Sequence, residues 1–454
     1  MNITKTIETV FKRYLPSPFT IAILLTLVTI VLAFFFTETP ENENHLLSIL
    51  SYWEKGIWNN NLLVFAYQMM LILVLGHVLV LSRPVNKLIT SLSKNVTSTT
   101  SAVVLVSVTT MLAAFINWGL GLIFGAILAR KVGEYAQEKD IALNYPLVGA
   151  AGYVGLMVWH GGISGSAPIK VAENGHLSSL MQGVSTSVLP ESINFNATVF
   201  SWWNLLLFGI LLIVIPFVLS RIAKVTSPTT INLEQYQFNS SKDQSIEGAE
   251  KLDFSNWFGA CFGIILLVTF CYQYWDNILN LQITPNMLNF LMLGLAIVLH
   301  KNFNNFLKAV EEAIKGTSGI LIQFPLYFGI MGIMKSTGMV VSISDFFASI
   351  ATATTLPIYT FFSAGLVNIF VPSGGGQWAI QGPIIIESAL KLGVPLPKAI
   401  MALAYGDQIT NMLQPFWALP LLGITKLKAK EILPYTLILM CVGIAVYVLG
   451  LFIF

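Results

Sequence analysis

Stretches of about 20 predominantly apolar residues recur from one end of the chain to the other, and an α-helix of that length spans the roughly 30 Å hydrocarbon core of a bilayer. No polar segment between them is long enough to hold a soluble domain of any size. Charged residues account for 10% of the 454 positions and hydrophobic residues for 55%, whereas soluble domains average about 25% charged residues. The sequence therefore predicts an all-α polytopic membrane protein.

Nine apolar segments are predicted to cross the bilayer completely. They are residues 19–36, 61–81, 145–168, 199–220, 257–274, 287–300, 320–334, 399–421 and 434–454. The first of them lacks a small-residue cleavage site and is longer than the apolar core of a signal peptide, which has about 7 to 15 residues. We therefore expect it to be a retained span.

Two further segments, about 100–130 and about 357–390, are predicted to be re-entrant hairpins. Basic clusters flank the first segment at both ends, which indicates that it starts and finishes on the same side. The second contains the interruption VPSGGGQ at residues 371–377. Broken backbone at membrane depth is tolerated only where protein or a water-filled cavity surrounds it, and broken helices form binding sites in transporters.

Charge placement predicts the topology. With a cytoplasmic N-terminus, 19 of the 24 Lys and Arg residues lie inside and 5 outside, as the positive-inside rule requires. Residues 221–253 are then a cytoplasmic linker, and the C-terminus lies outside. Residues 1–220 contain the hairpin 100–130 and the crossing 145–168; residues 254–454 contain a connecting helix, the hairpin 357–390 and the crossing 399–421. Because the second half starts on the opposite side, the two halves form an inverted repeat.

Two crossings contain polar breaks, WHGGISGSAP at residues 159–168 and GDQITNMLQP at residues 406–415. A hairpin with an asparagine, Asn117 or Asn368, is predicted to face each break. Free N–H groups at helix starts suit a carboxylate, whereas carbonyl, Asn, Ser and Thr oxygens suit Na⁺. No arginine follows Arg221, so the candidate carboxylate ligands are Ser373, Gly374, Gly375, Gly376 and Gln377. The alternative interpretation is a glycine-rich surface for helix packing.

Asp407 is the acidic residue that lies deep in an apolar crossing, where a charge costs roughly 2.5 to 3.5 kcal/mol. It is a candidate cation ligand or proton carrier, or else a helix cap near the aqueous edge. His160, in the first break, titrates near neutral pH when unperturbed; it and Ser164 are further candidates for the substrate site, with a structural role for His160 as the alternative. Four tryptophans near the breaks either line an apolar pocket or lie at the membrane interface: Trp118, Trp159, Trp378 and Trp417.

Enzyme motifs are incomplete. The run Gly162–Ser166 lacks the last glycine of G-x-S-x-G, and the G-x-G that starts at Gly119 has Phe124 in place of the third glycine. The chain has no H-E-x-x-H and no P-loop, so neither a metalloprotease nor ATP-driven transport is indicated. The three cysteines have no metal-ligand spacing, and no basic stripe suggests a nucleic-acid partner. We expect no cofactor other than a coupling ion.

The blocks NIFVPSGGGQWAIQGPI and ALAYGDQITNMLQPFWALPLLGI resemble the bacterial short-chain fatty acid permease family, the AtoE-like proteins associated with acetoacetate and butyrate use. The segments FKRYLPSPFTIAILLT and NYPLVGAAGYVGLMVWHGGISGSAPI extend this resemblance over nearly the whole chain. It implies a secondary transporter in the bacterial inner membrane that imports short-chain monocarboxylates with a cation. The alternatives are a dicarboxylate or amino-acid permease and a passive anion channel.

The pattern is more distantly similar to the ion transporter superfamily that contains dicarboxylate/Na⁺ symporters. This similarity implies a homodimer, with a scaffold domain and an elevator-like transport domain in each subunit. It also implies two cation regions, one at Asn117, Ser164 and Ser166 and the other at Asn368, Thr410 and Asn411. The coupling ion is either Na⁺ in these regions or H⁺ carried by Asp407.

Overall fold

The computed structural model describes residues 3–38, 44–181, 189–229, 232–233, 248–279 and 284–454. Every regular element in these ranges is a helix. The α-helices of the N-terminal half are α1 (Ile3–Tyr14), α2 (Pro18–Phe36), α3 (His45–Ile57), α4 (Asn60–Leu81), α5 (Arg83–Ser93), α6 (Thr99–Ile116), α7 (Trp118–Glu138), α8 (Tyr145–Ala151), α9 (Ser166–Ala172), α10 (His176–Leu180) and α11 (Trp202–Val225).

The second half continues with ten more α-helices. They are α12 (Asn256–Leu279), α13 (Pro285–His300), α14 (Phe303–Ala313), α15 (Ser318–Ser336), α16 (Met339–Ser349), α17 (Leu356–Phe370), α18 (Gly374–Leu392), α19 (Leu396–Thr410), α20 (Pro415–Thr425) and α21 (Ala429–Ile453). Short 3₁₀ helices lie at Val154–Met157, Gly248–Leu252, Ile314–Gly316 and Asn411–Leu413.

Seven helices within the described ranges are long and apolar enough to cross a membrane: α2, α4, α6, α11, α12, α15 and α21. A polytopic, all-α membrane protein is thereby confirmed. Six of the seven coincide with predicted crossings, whereas α6 was assigned to the first hairpin. The predicted crossing 287–300 is a helix of only 16 residues. Shorter helices that the apolar pattern did not predict, such as α1, α5 and α14, are amphipathic.

Each predicted hairpin is a pair of helices that fold back on each other. Asn117 is extended (φ −150°, ψ 126°) and separates α6 from α7, and its Oδ1 accepts a hydrogen bond from Leu120 N at 3.0 Å. The close approach of Gly121 to Ala114 leaves no room for a side chain at the turn. Between α17 and α18 the reversal takes residues 371–373, and Ser373 Oγ accepts from Gly376 N at 3.2 Å. Asn117 and Ser373 therefore act as the N-caps of the helices that follow the two turns, α7 and α18.

Both predicted breaks exist, with one boundary corrected. The first runs from the end of α8 through the 3₁₀ helix Val154–Met157 and an irregular stretch to the start of α9. The second was expected to begin at Gly406, but α19 remains helical to Thr410, so the break covers only residues 411–414. Pro168 and Pro415, the last residues of the two break sequences, lie in the first turns of α9 and α20, where a missing N–H costs no helical hydrogen bond.

The predicted linker 221–253 is partly packed against the rest of the protein. α11 continues into it as far as Val225. Leu233 is buried, and its backbone N–H and carbonyl bond to the side-chain amide of Gln137 on α7 at 2.8 and 3.2 Å. Residues 230–231 and 234–247 of the linker lie outside the described residues. The linker is therefore attached to α7 at Leu233. The polar composition of the linker did not predict this contact.

Glycines permit the closest helix contacts around the breaks. A Cβ at Gly406 of α19 would overlap the carbonyl oxygen of Phe361 on α17, and a Cβ at Gly125 of α7 would overlap the carbonyl oxygen of Gly152. Backbone cannot move aside as a flexible side chain can. These two contacts bring α17 and α7 against the broken segments and so position the site.

Gly406→Ala should lower stability by about 1 to 3 kcal/mol, because the added methyl group forces α19 away from α17. Thermal unfolding of the purified protein in detergent measures the effect. The matched control is Gly209→Ala in α11, where nothing lies within 4 Å of the added atom. The control should be neutral or slightly stabilising, since alanine favours helix more than glycine does. Equal melting temperatures for the two variants would contradict the close contact.

Candidate functional site at the two helix breaks

The first break packs against the turn of the first hairpin. Ile163 N donates to Phe115 O at 2.8 Å, and Trp118 N donates to Ser164 Oγ at 2.9 Å. Ser164 therefore lies beside the turn that contains Asn117. Ser166 Oγ lies 3.8 Å from the position of a Cβ on Gly375, in the other hairpin. A cation region formed by Asn117, Ser164 and Ser166 together stays a prediction.

The second predicted region does form a cluster. Asn368 on α17 directs its Nδ2 at three oxygens, at 2.9 Å from Asp407 O, 2.9 Å from Thr410 Oγ1 and 2.7 Å from Asn411 Oδ1. Asn368 and Asn411 are fully buried. The hairpin asparagine thus contacts the break of its own half, and a role in binding a cation stays a prediction.

His160 and Asp407 form a buried pair between the two halves. His160 Nδ1 contacts Asp407 Oδ2, and the two side chains are 0% and 1% exposed. His160 Nε2 accepts a hydrogen bond from Ala167 N at 3.0 Å. The ring also stacks on Trp159 with centroids 4.5 Å apart. Both residues were candidates on separate grounds, and nothing in the sequence indicated that they are partners.

The tip of the second hairpin lies directly on this pair. A Cβ on Gly374 would be 2.8 Å from Trp159 Cη2, 2.9 Å from His160 Cε1 and 3.1 Å from Asp407 Oδ2. Only glycine fits there. The first turn of α18 therefore begins against the imidazole and the carboxylate, and Gly375 and Gly376 follow within the same turn.

Gln377 donates its side-chain amide hydrogens within the second hairpin, and a role in binding a carboxylate stays a prediction. Its Nε2 donates to Ala364 O at 2.8 Å and to Gln381 Oε1 at 2.7 Å. Gln381 in turn donates to Ser344 and Ser363. The side chain of Gln377 therefore joins α18 to α17 within the hairpin, while its Oε1 is buried without a partner among the described residues.

Polar side chains from one half satisfy the broken backbone of the other. Gln408 Oε1 accepts from His160 N and Gly161 N at 2.8 and 3.0 Å. Tyr153 OH donates to Asn411 O at 2.9 Å, and its oxygen lies 3.0 Å from Gln414 O. Sequence reasoning missed these residues, although a polar residue within an apolar crossing is a signal that could have found them.

Two further helices complete the bracing. On α21, Tyr447 OH donates to Met157 O at 2.8 Å and accepts from Gln408 Nε2 at 2.7 Å. On α11, Asn204 Nδ2 donates to Gly161 O at 2.9 Å. Uncharged side chains of three helices, α19, α21 and α11, therefore hydrogen-bond to the backbone of the first break.

Several buried polar atoms around the breaks make no hydrogen bond to any described residue. They are Asn368 Oδ1, Asp407 Oδ1, Asn411 Nδ2, Trp159 Nε1 and Trp417 Nε1. Buried polar groups are normally paired, so such atoms require an explanation, of which an absent ligand or ion is one. Their presence at the breaks is consistent with a binding site there.

Three of the four candidate tryptophans cluster beside the pair. Trp118 lies 6.1 Å from Trp159 and 5.2 Å from Trp417, measured between ring centroids. Trp378 lies elsewhere and donates its Nε1–H to His176 Nε2 at 3.0 Å. The cluster supplies an apolar surface next to the hairpin tip.

A separate cavity of about 450 Å³ lies between α4, α7 and the end of α20. Arg130, on its wall, donates to Glu134 at 2.7 Å and to Ile424 O at 2.8 Å. None of the predicted site residues lines this cavity. It is therefore not the site at the breaks.

Gln408→Leu should destabilise the protein, because it leaves two backbone N–H groups without an acceptor and removes the donor to the Tyr447 hydroxyl. Each buried group left unpaired costs about 1 to 3 kcal/mol. Thermal unfolding in detergent measures the loss. Gln68→Leu is the control, since it removes a single hydrogen bond, to Asn286, that lies exposed on the protein surface. A Gln408→Leu protein as stable as the control would argue against the bracing.

Comparison with known proteins identifies the family. The profile of the short-chain fatty acid transporter family matches residues 1–454. A protein of Escherichia coli strain K12 is 35% identical over 98% of this chain and 97% of its own length. A protein of Haemophilus influenzae is 34% identical over 99% of both chains. Both relatives carry the name "Putative short-chain fatty acid transporter".

Two solved structures are also similar. The YdaH transporter of Alcanivorax borkumensis matches with a TM-score of 0.45 and 13% identity, over 96% of this chain and 98% of that one. MtrF of Neisseria gonorrhoeae, described as one of a class of antimetabolite efflux pumps, has a TM-score of 0.38 and 15% identity, over 98% and 96%. The family match over the whole length confirms the resemblance found in the sequence. This chain is a transporter rather than an enzyme, and it belongs to the short-chain fatty acid transporter family.

Proposed function

We propose that this protein is a secondary active transporter of the bacterial inner membrane that takes up butyrate- or acetoacetate-like monocarboxylates together with a cation. One observation supports this more than any other: the first turn of α18 meets the buried His160–Asp407 pair where the two breaks approach each other. A helix start and an ionisable pair thus share one site. The first can bind a carboxylate and the second can bind a cation.

The substrate carboxylate is proposed to bind at Gly374 and Gly375. In this turn Gly376 N already bonds to Ser373 Oγ, and Gln377 N bonds to Ser373 O at 2.8 Å. The N–H groups of the two preceding glycines have no carbonyl within the helix to bond to. Glycine also lets a ligand approach the backbone closely. The neighbouring tryptophans would contact a short alkyl chain.

Na⁺ is a candidate for the coupled cation, and the geometry of Asn368 supports it. Its amide nitrogen has two hydrogens but lies within 2.9 Å of three oxygens, while its own Oδ1 has no partner among the described residues. A half-turn of the amide would direct Oδ1 towards the same oxygens. Hard cations bind to such sets of oxygens. The region at Asn117, Ser164 and Ser166 has less support, because Ser166 faces the other hairpin.

The proposed topology has both helix hairpins re-entrant, related by an inverted repeat, with the N-terminus cytoplasmic and the C-terminus outside. Each hairpin contacts the break of its own half, through Ser164 in the first and Asn368 in the second, which supports the repeat. α6 is long enough by itself to cross a membrane, and in this arrangement it is an arm of the first hairpin. A homodimer is proposed on the superfamily similarity.

Gly375→Leu should abolish uptake while leaving membrane insertion intact. The nearest atoms to a Cβ at this position are those of Ser166 at 3.8 to 4.0 Å, so the extra bulk fills the space proposed for the carboxylate. Uptake of labelled butyrate and acetoacetate into proteoliposomes measures the effect, with dicarboxylates and amino acids as competing substrates. Gly209→Leu, at a position with free space around it, is the control. Normal uptake by Gly375→Leu would remove the hairpin tip from the site.

Coupling to Na⁺ makes a prediction of its own. If Na⁺ is coupled, an inward Na⁺ gradient drives accumulation against a concentration gradient, which a passive channel cannot do. Thr410→Val removes one oxygen without changing shape, so the Na⁺ concentration for half-maximal uptake should rise about tenfold, equivalent to about 1.4 kcal/mol. Initial rates at constant pH measure it. If uptake does not respond to Na⁺, the role of Asn368 is only structural: it joins α17 to α19.

A further inference from the structure

The cavity of about 450 Å³ between the ends of α4, α7 and α20 is large enough for a small organic ion, since pockets that bind small molecules measure about 300 to 1,000 Å³. Its walls carry four basic side chains and two carboxylates among the described residues: Arg130, Lys131, Lys315, Lys426, Glu134 and Glu312. The cavity therefore has an excess of positive charge, and a cleft of this kind attracts anions.

The least exposed charges of the cavity belong to α7. Arg130 and Lys131 both pair with Glu134 at 2.7 Å, and the three side chains are only 11%, 16% and 12% exposed. Arg130 Nη1 also donates to Ile424 O at 2.8 Å, which fixes the guanidinium at the end of α20. One carboxylate is thus shared by two cations. A bound anion would balance the remaining charge, which is costly where little water reaches it.

The other basic side chains mark the aqueous mouth of the cavity. Lys315, in the 3₁₀ helix after α14, pairs with Glu312, and Lys426 directly follows α20. Both lysines are exposed. Exposed charges at the mouth of a cleft raise the local concentration of an oppositely charged ion. An anion that arrives from the water therefore meets these two lysines before it reaches α7.

Apolar side chains form the rest of the walls, and they indicate which kind of anion fits. They are Val80, Leu81, Ile127, Leu233 and Ile424. An inorganic phosphate would leave this apolar surface in contact with water, whereas the alkyl chain of a monocarboxylate would cover it, which is favourable. The combination of basic and apolar walls therefore suits a carboxylate with a short apolar chain.

The cavity and the site at the breaks lie at opposite ends of the same helices. α7 begins at Trp118, in the tryptophan cluster, and Arg130 follows about 18 Å further along the helix axis. α4 runs alongside in the same direction: the ring of Phe65 lies 6.2 Å from that of Trp118, and His77 lines the cavity. The seam between α4 and α7 thus leads from the cavity to the breaks.

Apolar contacts fill this seam. A Cβ on Gly76 of α4 would be 2.6 Å from Ile123 Cγ2, and a Cβ on Gly119 of α7 would be 3.7 Å from Ile72 Cδ1. Ile72 and Ile123 are both buried. The cavity and the breaks are therefore separate in this structure, and a ligand in the cavity does not contact the site at the breaks.

We propose that this cavity is a second binding site for the transported monocarboxylate, on the cytoplasmic face of the protein. Lys131 and Lys426 attract the carboxylate, and the alkyl chain covers Leu81 and Ile127. The basic residues that line the cavity lie on the cytoplasmic side in the proposed topology, where the substrate leaves after uptake. Substrate that moves outward binds here first. This inference rests on the proposed function.

The test compares two orientations of membrane vesicles that contain the full-length protein. Inside-out vesicles present labelled acetoacetate to the cytoplasmic face, and right-side-out vesicles present it to the opposite face. Both are preloaded with unlabelled acetoacetate, so exchange is measured without an ion gradient, and uptake by vesicles that lack the protein is subtracted. The half-saturating concentration should rise with ionic strength in inside-out vesicles only, because salt screens the basic side chains. A rise in both orientations, or in neither, would overturn the proposal.

Variants test the walls of the cavity. Lys131→Gln and Lys426→Gln should each raise the half-saturating concentration about fivefold, in inside-out vesicles only, because each removes a unit charge close to the carboxylate. Lys426→Arg keeps the charge and should match the wild type. Leu81→Trp fills the cavity without changing its charge and should also weaken binding from the cytoplasmic face. The control is Lys391→Gln, which removes an exposed charge that does not line the cavity. Effects of equal size in the two orientations would reject the cavity as a substrate site.

Chemical labelling detects binding without transport. Asn232→Cys places a thiol on an exposed part of the cavity wall. Acetoacetate should slow the reaction of this thiol with a charged maleimide in detergent, and inorganic phosphate should not. Protein without the substitution gives the background from the native cysteines. Protection by phosphate but not by acetoacetate would assign the cavity to another anion and contradict the inference.

The exchange measurements also separate this inference from the function on which it rests. If neither orientation exchanges acetoacetate or butyrate, the proposed function itself is wrong. If both orientations exchange them but the lysine variants, the Leu81→Trp variant and salt have no effect specific to the cytoplasmic face, only the second site is rejected.

Discussion

The structure depends on the need of two interrupted helices to satisfy their free backbone groups away from water. Neither break does so alone. Gln408, next to the second break, accepts from the N–H groups of the first, and Tyr153, next to the first, donates to a carbonyl of the second. Tyr447 and Asn204 add bonds from α21 and α11. The two halves are therefore joined at their least regular segments, and each break requires the other.

The candidate site contains no buried lysine or arginine among the residues that the structure describes. The bracing groups are neutral amides and hydroxyls, so they leave the electrostatics of the site to the start of α18 and to Asp407. A helix start favours an anion, and a lone carboxylate opposes one. In the proposed function, binding of the cation determines which of the two dominates.

Much of the fold could be predicted because its signals are local. Apolar runs of sufficient length identified six of the seven long helices. Asn117 and the interruption VPSGGGQ marked the turns at which the helix pairs reverse, whereas Asn368, the other hairpin asparagine, lies within α17. Boundaries were less accurate: glycine and polar residues suggested a break from Gly406, yet α19 remains helical to Thr410. Packing of Gly406 against the backbone of Phe361 favours the helix there, and that contact is not local.

By itself, the sequence determined the membrane class, the family and the existence of two breaks, because hydrophobic length and helix-breaking residues act within a few positions of the chain. Only the tertiary structure decided the pairings. His160 meets Asp407, 247 positions away, and Gln408 meets the backbone of the first break. The side chain of Gln377 donates to Ala364 O within its own hairpin, although its position after the three glycines had suggested a ligand for the substrate carboxylate. A polar residue in an apolar segment needs a partner, but which partner it finds depends on how distant helices pack.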